Sequence, residues 1–259
     1  MPEFECLCDV MAKPDAKMSI FLNDITKLRT DVFVNAANSQ LMAGGGVCGA
    51  IHKAAGPGLE AECKALYPNG IRPGEAVATS GFASNAKWIV HVVAPRATSD
   101  GWGEIEILLS AYRNAILVAD ELGAKSIAIP SLGTGSYGWD VGKVALPVIR
   151  DAIAPLLSQV KNLEMVIVCC FTQPDAETYS QALQQVFPNS QRASDLALQS
   201  PAVAIQPAPE HSPLDANSPL DSFSWEELVR DAEIRADVRR EMVKRGYTIE
   251  QVEELCEAL

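Results

Sequence analysis

The sequence predicts an α/β fold in which one sheet is layered between helices. From Met18 onward, short apolar runs alternate with stretches of helical periodicity, the order expected when helices cover a sheet. Ile127 to Pro130 and Val166 to Cys170 are apolar without alternation, as strands covered on both faces are. Two glycine-rich segments, around residues 44–49 and 133–138, follow such runs. Ligand sites in α/β sheets lie outside the carboxyl ends of strands.

Strands are expected at residues 19–22, 32–35, 75–80, 88–93, 126–129 and 165–170, each a short run of mostly apolar or β-branched residues. Helices are expected between them at 49–55, 59–66, 104–122, 141–157 and 176–186. From residue 188 to 221 the composition shifts to Ser, Ala, Gln and Pro, with five prolines between Pro201 and Pro219, the signature of an extended linker. Helix signals return in 222–259, where Ser224 with Glu227 forms a capping-box pattern and Gly246 sits where a C-terminal cap belongs. Thr248 with Gln251 repeats the box, so this segment reads as a helical hairpin. It is too small to bury an adequate core alone. Docking on the larger domain, on a second copy or on a protein partner is expected of it. The chain thus divides into an N-terminal extension (1–17), a large domain (18–187), a linker (188–221) and the hairpin (222–259).

Composition narrows the function. The chain has 259 residues and a formal net charge of −12, which argues against nucleic acid as a partner, because that binding rests on neutralising phosphates with Lys and Arg. No run of eighteen or so apolar residues occurs, so no membrane span is expected. The first seventeen residues carry acidic side chains among apolar ones and lack the pattern of a secretory signal, giving a cytoplasmic expectation. Seven cysteines without framework spacing favour reduced thiols. With three histidines and no second cysteine pair at finger spacing, no metal site is expected, and no cofactor is called for.

The most informative segment runs from Asn35 to His52, where two asparagines and the triple glycine Gly44-Gly45-Gly46 lie between the strand at Val32 and a helix. Three consecutive glycines lack every Cβ, so backbone N–H groups can converge on an anion. The following helix adds unpaired N–H groups and the positive end of its dipole. A diphosphate could be held there by main chain alone, without a basic patch.

These residues resemble the ADP-ribose-binding loop of macrodomains: an N-A-A-N motif, a short apolar link, a triple glycine, then Val47, and I-H-x-A-A-G at Ile51 to Gly56. Asn23-Asp24-Ile25-Thr26 is similar to the family's G-D-I-T turn, Val90 to Pro95 to its central strand and exit, and Pro130 to Gly138 to its second phosphate loop. The resemblance spans roughly residues 18–187 and is closest to the MacroD-type branch. It implies a three-layer α/β/α macrodomain with a mixed central sheet. It also implies roles. Asp24 would accept from the adenine amino group with the Ile25 N–H nearby, and Asn38 would reach the distal ribose hydroxyls. Gly44, Gly45, Gly46 and Val47 would form the first loop over distal ribose and diphosphate. Ser131, Gly133, Thr134, Gly135, Ser136 and Tyr137 would form the second, and Phe171 would pack on the adenine side or serve as a core residue. Asn35 is expected to tie the loop to its own backbone, and His52 and His91 to be structural.

The sequence departs from the family where the MacroD pattern has its catalytic aspartate, a position taken here by Cys48. At a helix N-terminus a thiol can have a lowered pKa and act as base or nucleophile, or it can pack as a small inert hydrophobe. The resemblance therefore implies weak hydrolysis of mono-ADP-ribosyl protein or O-acetyl-ADP-ribose, with Asn38 and Cys48 as the catalytic candidates. The alternative is a non-catalytic reader of ADP-ribose or of ADP-ribosylated proteins.

Overall fold

The computed structural model describes residues 16–99 and 103–188. The expected extension, linker and hairpin lie almost wholly outside the described residues. Strands β1 (Lys17–Leu22), β2 (Val32–Ala36), β3 (Ala76–Ser80), β4 (Trp88–Val92), β5 (Ser126–Pro130) and β6 (Met165–Cys170) form one sheet in the order β1-β6-β5-β2-β4-β3. All neighbours pair in parallel except β3 with β4, so the sheet is mixed.

Alternation along each strand divides the sheet's two faces. Val32, Val34, Val90, Ile127, Ile129, Val166 and Val168 join one core cluster, packed with helices α3 (Ile105–Glu121), α4 (Val141–Pro147), α5 (Ala154–Leu157) and α6 (Gln173–Val186). Phe33, Ile89, Ala128 and Ile167 point the other way, against α1 (Gly46–Ala55), α2 (Pro57–Leu66) and the 3-10 turn Ile25–Lys27. Both faces are covered, which is why these strands read as continuous apolar runs. Each fully buried Ile, Leu or Phe contributes about 1.5–3 kcal/mol.

Each helix and strand expected between residues 19 and 186 is present, with shifts that have local causes. α1 begins at Gly46 rather than at residue 49; Gly46 takes a φ of 59°, a left-handed turn open to glycine by which the chain leads into the helix. α2 begins at Pro57, whose fixed φ suits a first helical position. α6 begins at Gln173 because the Thr172 side chain accepts from Asp175 N–H. The expected helix at 141–157 is continuous but changes register. Val148–Ile153 is a π-helical stretch between α4 and α5, lying between Pro147 and Pro155, neither of which can donate an N–H.

The topology places the site. β2 and β5 are neighbours, but the chain leaving β2 enters α1 on one face and the chain leaving β5 enters α4 on the other. Their carboxyl ends diverge and open a crevice, the position where ligands enter such sheets. Among the described residues, no helix is long and apolar enough to cross a membrane.

Candidate functional site

A cleft of about 270 Å³ opens at this divergence. One wall is Ala36, Ala37 and Asn38 with Gly44 to Cys48, and the other is Ser131, Gly133, Gly135, Ser136 and Tyr137, with Ala94 between. Two segments 80 or more residues apart in sequence thus face each other. No lining residue is an Asp, Glu, Lys, Arg or His, so an anion there would meet main-chain N–H groups and the α1 dipole rather than a cation. No side chain caps α1, whose N-cap is Gly45. The first-turn donors are therefore left for a ligand.

The first loop is built around Asn38. Its Nδ2 donates to the Met42 carbonyl at 2.7 Å, and its Oδ1 accepts from Gln40 N–H at 3.1 Å and Met42 N–H at 3.2 Å. The loop then folds back so tightly that a Cβ on Gly49 would collide with the Gly44 carbonyl oxygen. Asn35 bonds across the sheet rather than to the loop backbone, contrary to expectation. It sits inside β2 opposite His91 of β4, and its Nδ2 lies 3.1 Å from His91 Nδ1, because a strand residue pointing into the sheet layer reaches its cross-strand neighbour first. With Nδ1 accepting, the His91 Nε2–H donates to Thr79 Oγ1 at 2.9 Å. Burial pulls His91 down to about 3, so it is a neutral structural histidine, as expected. His52 is buried too, and its pKa is lowered by burial.

Cys48 lies in the first turn of α1, 4% exposed, with its thiol donating to the Met42 carbonyl at 3.5 Å. Burial raises its pKa, outweighing the nearby Asn35 side chain and the Gly44 backbone. The lowered pKa that a helix N-terminus can produce is not found at this thiol; desolvation is the larger effect.

The second loop hangs on a buried tyrosine pair that the sequence reading did not single out. Leu132 N–H donates to Tyr112 Oη at 2.8 Å, Ser131 Oγ donates to Tyr179 Oη at 3.2 Å, and the two phenol oxygens are 3.1 Å apart. Both rings are 0% exposed. The available signal was a tyrosine on the apolar stripe of α3 and another on that of α6, since a buried phenol needs a polar partner. Thr134 does not line the cleft; its Oγ1 donates to the Ser131 carbonyl at 3.0 Å and closes the turn. Gly133 has a φ of 78°, and the buried Trp139, whose Nε1 donates to Pro95 O at 2.7 Å, packs beneath it.

Asp24, Ile25 and Phe171 stand apart from the cleft lining, beyond the paired ends of β1 and β6. Asp24 caps the 3-10 turn: its Oδ1 accepts from Thr26 N–H at 2.9 Å and from Thr26 Oγ1 at 2.7 Å. Ile25 is buried, whereas Phe171 is 79% exposed, which removes the core reading of that ring. Among the described residues no group of three His, Cys, Asp or Glu side chains converges as a metal site would require.

The Macro domain family profile matches residues 34–146, a span that contains both glycine loops. A macro domain-containing protein of Chlorobaculum tepidum is 42% identical over 160 residues, covering 62% of this chain and 91% of that protein. One from Methanosarcina mazei is 39% identical over 170 residues, with coverages of 66% and 89%. Among solved structures, the Oceanobacillus iheyensis macrodomain with ADP superposes with a TM-score of 0.62 at 34% identity, covering 68% of this chain and 94% of that one. The Trypanosoma brucei macrodomain in complex with ADP-ribose gives 0.59 at 30% identity, covering 64% and 68%. With the two-loop cleft, the mixed sheet and these likenesses together, the chain belongs to the macro domain family.

Proposed function

We propose that this protein binds ADP-ribose, free or attached to a protein, and that binding rather than turnover is its principal activity. The observation that carries the reading is the cleft itself: two facing glycine loops at the carboxyl edge of the sheet, lined without any charged side chain. In this reading the diphosphate lies between the loops, the distal ribose lies against Asn38 and Tyr137, and the adenine extends toward Asp24, Ile25 and Phe171. The ADP and ADP-ribose bound by the Oceanobacillus and Trypanosoma macrodomains support the ligand class.

Binding is favoured over hydrolysis because the ionisable groups in the cleft lining are the Cys48 thiol and the Tyr137 phenol. The thiol is buried, pushed up in pKa and turned to a carbonyl oxygen, so it supplies no base at neutral pH. Hydrolysis of a mono-ADP-ribosyl protein or of O-acetyl-ADP-ribose would then depend on a ligand phosphate oxygen positioning the water, and would be slow. The test is calorimetric titration with ADP-ribose beside a turnover assay on a mono-ADP-ribosylated protein. Binding with only slow product release is the expected pair of results. Rapid multiple turnover by the wild-type chain would overturn the preference for binding.

A further inference from the structure

Arg96 lies immediately beyond the cleft. Its guanidinium carbon is 4.6 Å from the centroid of the Tyr137 ring, which forms part of the lining. Arg96 itself is exposed and does not line the cleft. Its main chain is fixed on both sides: Pro95 O accepts from Trp139 Nε1 at 2.7 Å, and Ala97 N–H donates to Tyr137 O at 2.8 Å. A charged side chain on the segment leaving β4 is therefore held against Tyr137 of the second loop.

The ring contact supplies Arg96 with no oxygen acceptor. Stacking on a ring uses the face of the guanidinium and leaves its N–H edge open to a planar, two-oxygen acceptor. Lys64 pairs with Glu60, Arg113 with Glu106, Lys125 with Glu164 and Arg150 with Asp151, whereas Arg96 has no carboxylate partner among the described residues. In a chain of net charge −12, an exposed arginine with no carboxylate partner among the described residues, held beside an uncharged cleft, is placed to receive an anion from outside.

Resting on the ADP-ribose reading of the cleft, we propose that Arg96 is a specificity-determining residue that pairs with an acidic side chain of the peptide carrying the modification. The preferred partner is thus an ADP-ribosylated segment with Asp or Glu close to the modified residue. Bidentate carboxylate geometry matches the free edge of the guanidinium. The diphosphate is served from within by main-chain donors, so the arginine outside the lining is left for the part of the ligand that emerges past Tyr137.

The test uses the full chain and three probes: free ADP-ribose, a mono-ADP-ribosylated peptide with Glu on both sides of the modified residue, and the same peptide with Gln in place of those Glu residues. Wild type is expected to bind the acidic peptide about tenfold more tightly than the Gln peptide, a charge-assisted contact converted to affinity. Arg96→Ala and Arg96→Gln should lose that preference while keeping the wild-type affinity for free ADP-ribose. A wild type that does not distinguish the two peptides overturns the proposal. So does an Arg96→Ala that weakens free ADP-ribose as much as the acidic peptide, which would assign the arginine to the diphosphate. If wild type binds none of the three probes, the reading of the cleft fails first, and the proposal falls with it.

Discussion

Asn38 and Cys48 meet on one oxygen: Asn38 Nδ2 donates to the Met42 carbonyl at 2.7 Å, and the Cys48 thiol donates to the same atom at 3.5 Å. The shared acceptor closes the first loop over the start of α1 and requires the thiol to keep its proton. A carboxylate at position 48 would be repelled by that carbonyl and attracted by the first-turn N–H groups and Asn38 Nδ2. Cys48→Asp should therefore turn a carboxylate into the cleft and raise turnover on a mono-ADP-ribosylated protein by ~10²-fold or more over wild type, the scale of an added positioned base. Cys48→Ala should leave turnover at the wild-type level. Loss of a measurable wild-type rate in Cys48→Ala would instead make the thiol catalytic.

The second loop depends on Gly133, which combines a φ of 78° with a Cβ position 2.6 Å from Trp139 Cδ1. Gly133→Ala should cost about 2–4 kcal/mol of stability, from left-handed strain plus overpacking against a buried ring. Gly135, where an added Cβ meets nothing within 4 Å, is the control. Gly135→Ala should unfold within roughly 0.5 kcal/mol of wild type in urea, and equal losses at both positions would contradict this account of the loop.

Much of this was legible in the sequence, for reasons visible in particular residues. Val32, Val166 and their neighbours read as strands because helices cover both faces of the sheet, and Gly44 to Gly46 read as an anion loop because the run lies between a strand and a helix and is flanked by segments resembling those of macrodomains. What stayed hidden depends on tertiary placement. Asn35 and Asn38 belong to one motif, and only the pairing of β2 with β4 assigns Asn35 to His91 and leaves Asn38 to hold the loop. Cys48 was ambiguous because a helix dipole and desolvation act on a thiol in opposite directions, and burial decides between them. The tyrosines that carry the second loop come from α3 and α6, a contact that no local pattern encodes.

Glu62 supplies a pH signature. It is 1% exposed, accepts from Ser80 N–H at 3.1 Å and Ser80 Oγ at 3.3 Å, and burial raises it to about 7. A carboxyl whose folded pKa lies above its unfolded value stabilises the fold fully below the unfolded pKa and loses that contribution as pH rises through the folded one. Stability should thus rise by roughly 1 kcal/mol as pH falls from 8 to 6.5. His91, lowered to about 3, works in the opposite direction once pH drops below about 6.5, where its unfolded form takes a proton. Glu62→Gln should abolish the gain between pH 8 and 6.5 in urea melts. A variant with the wild-type slope in that window would exclude Glu62 as its source.

The capping role of Asp24 can be separated from the adenine contact proposed for it. As a cap, it accepts from Thr26, a role that asparagine fills equally well. As an acceptor for the adenine amino group, its carboxylate cannot be replaced by an amide without losing charge. Asp24→Asn should therefore melt like wild type while ADP-ribose affinity falls about tenfold. Wild-type affinity in this variant would confine Asp24 to capping.

Titration calorimetry of the full chain with ADP-ribose and with AMP asks whether the uncharged cleft between the two glycine loops holds ADP-ribose. Micromolar affinity for ADP-ribose, about 8 kcal/mol, with distinctly weaker binding of AMP, which lacks the second phosphate and the distal ribose, is the result predicted. Absence of binding heat with ADP-ribose at several temperatures, or equal affinity for AMP, would contradict it.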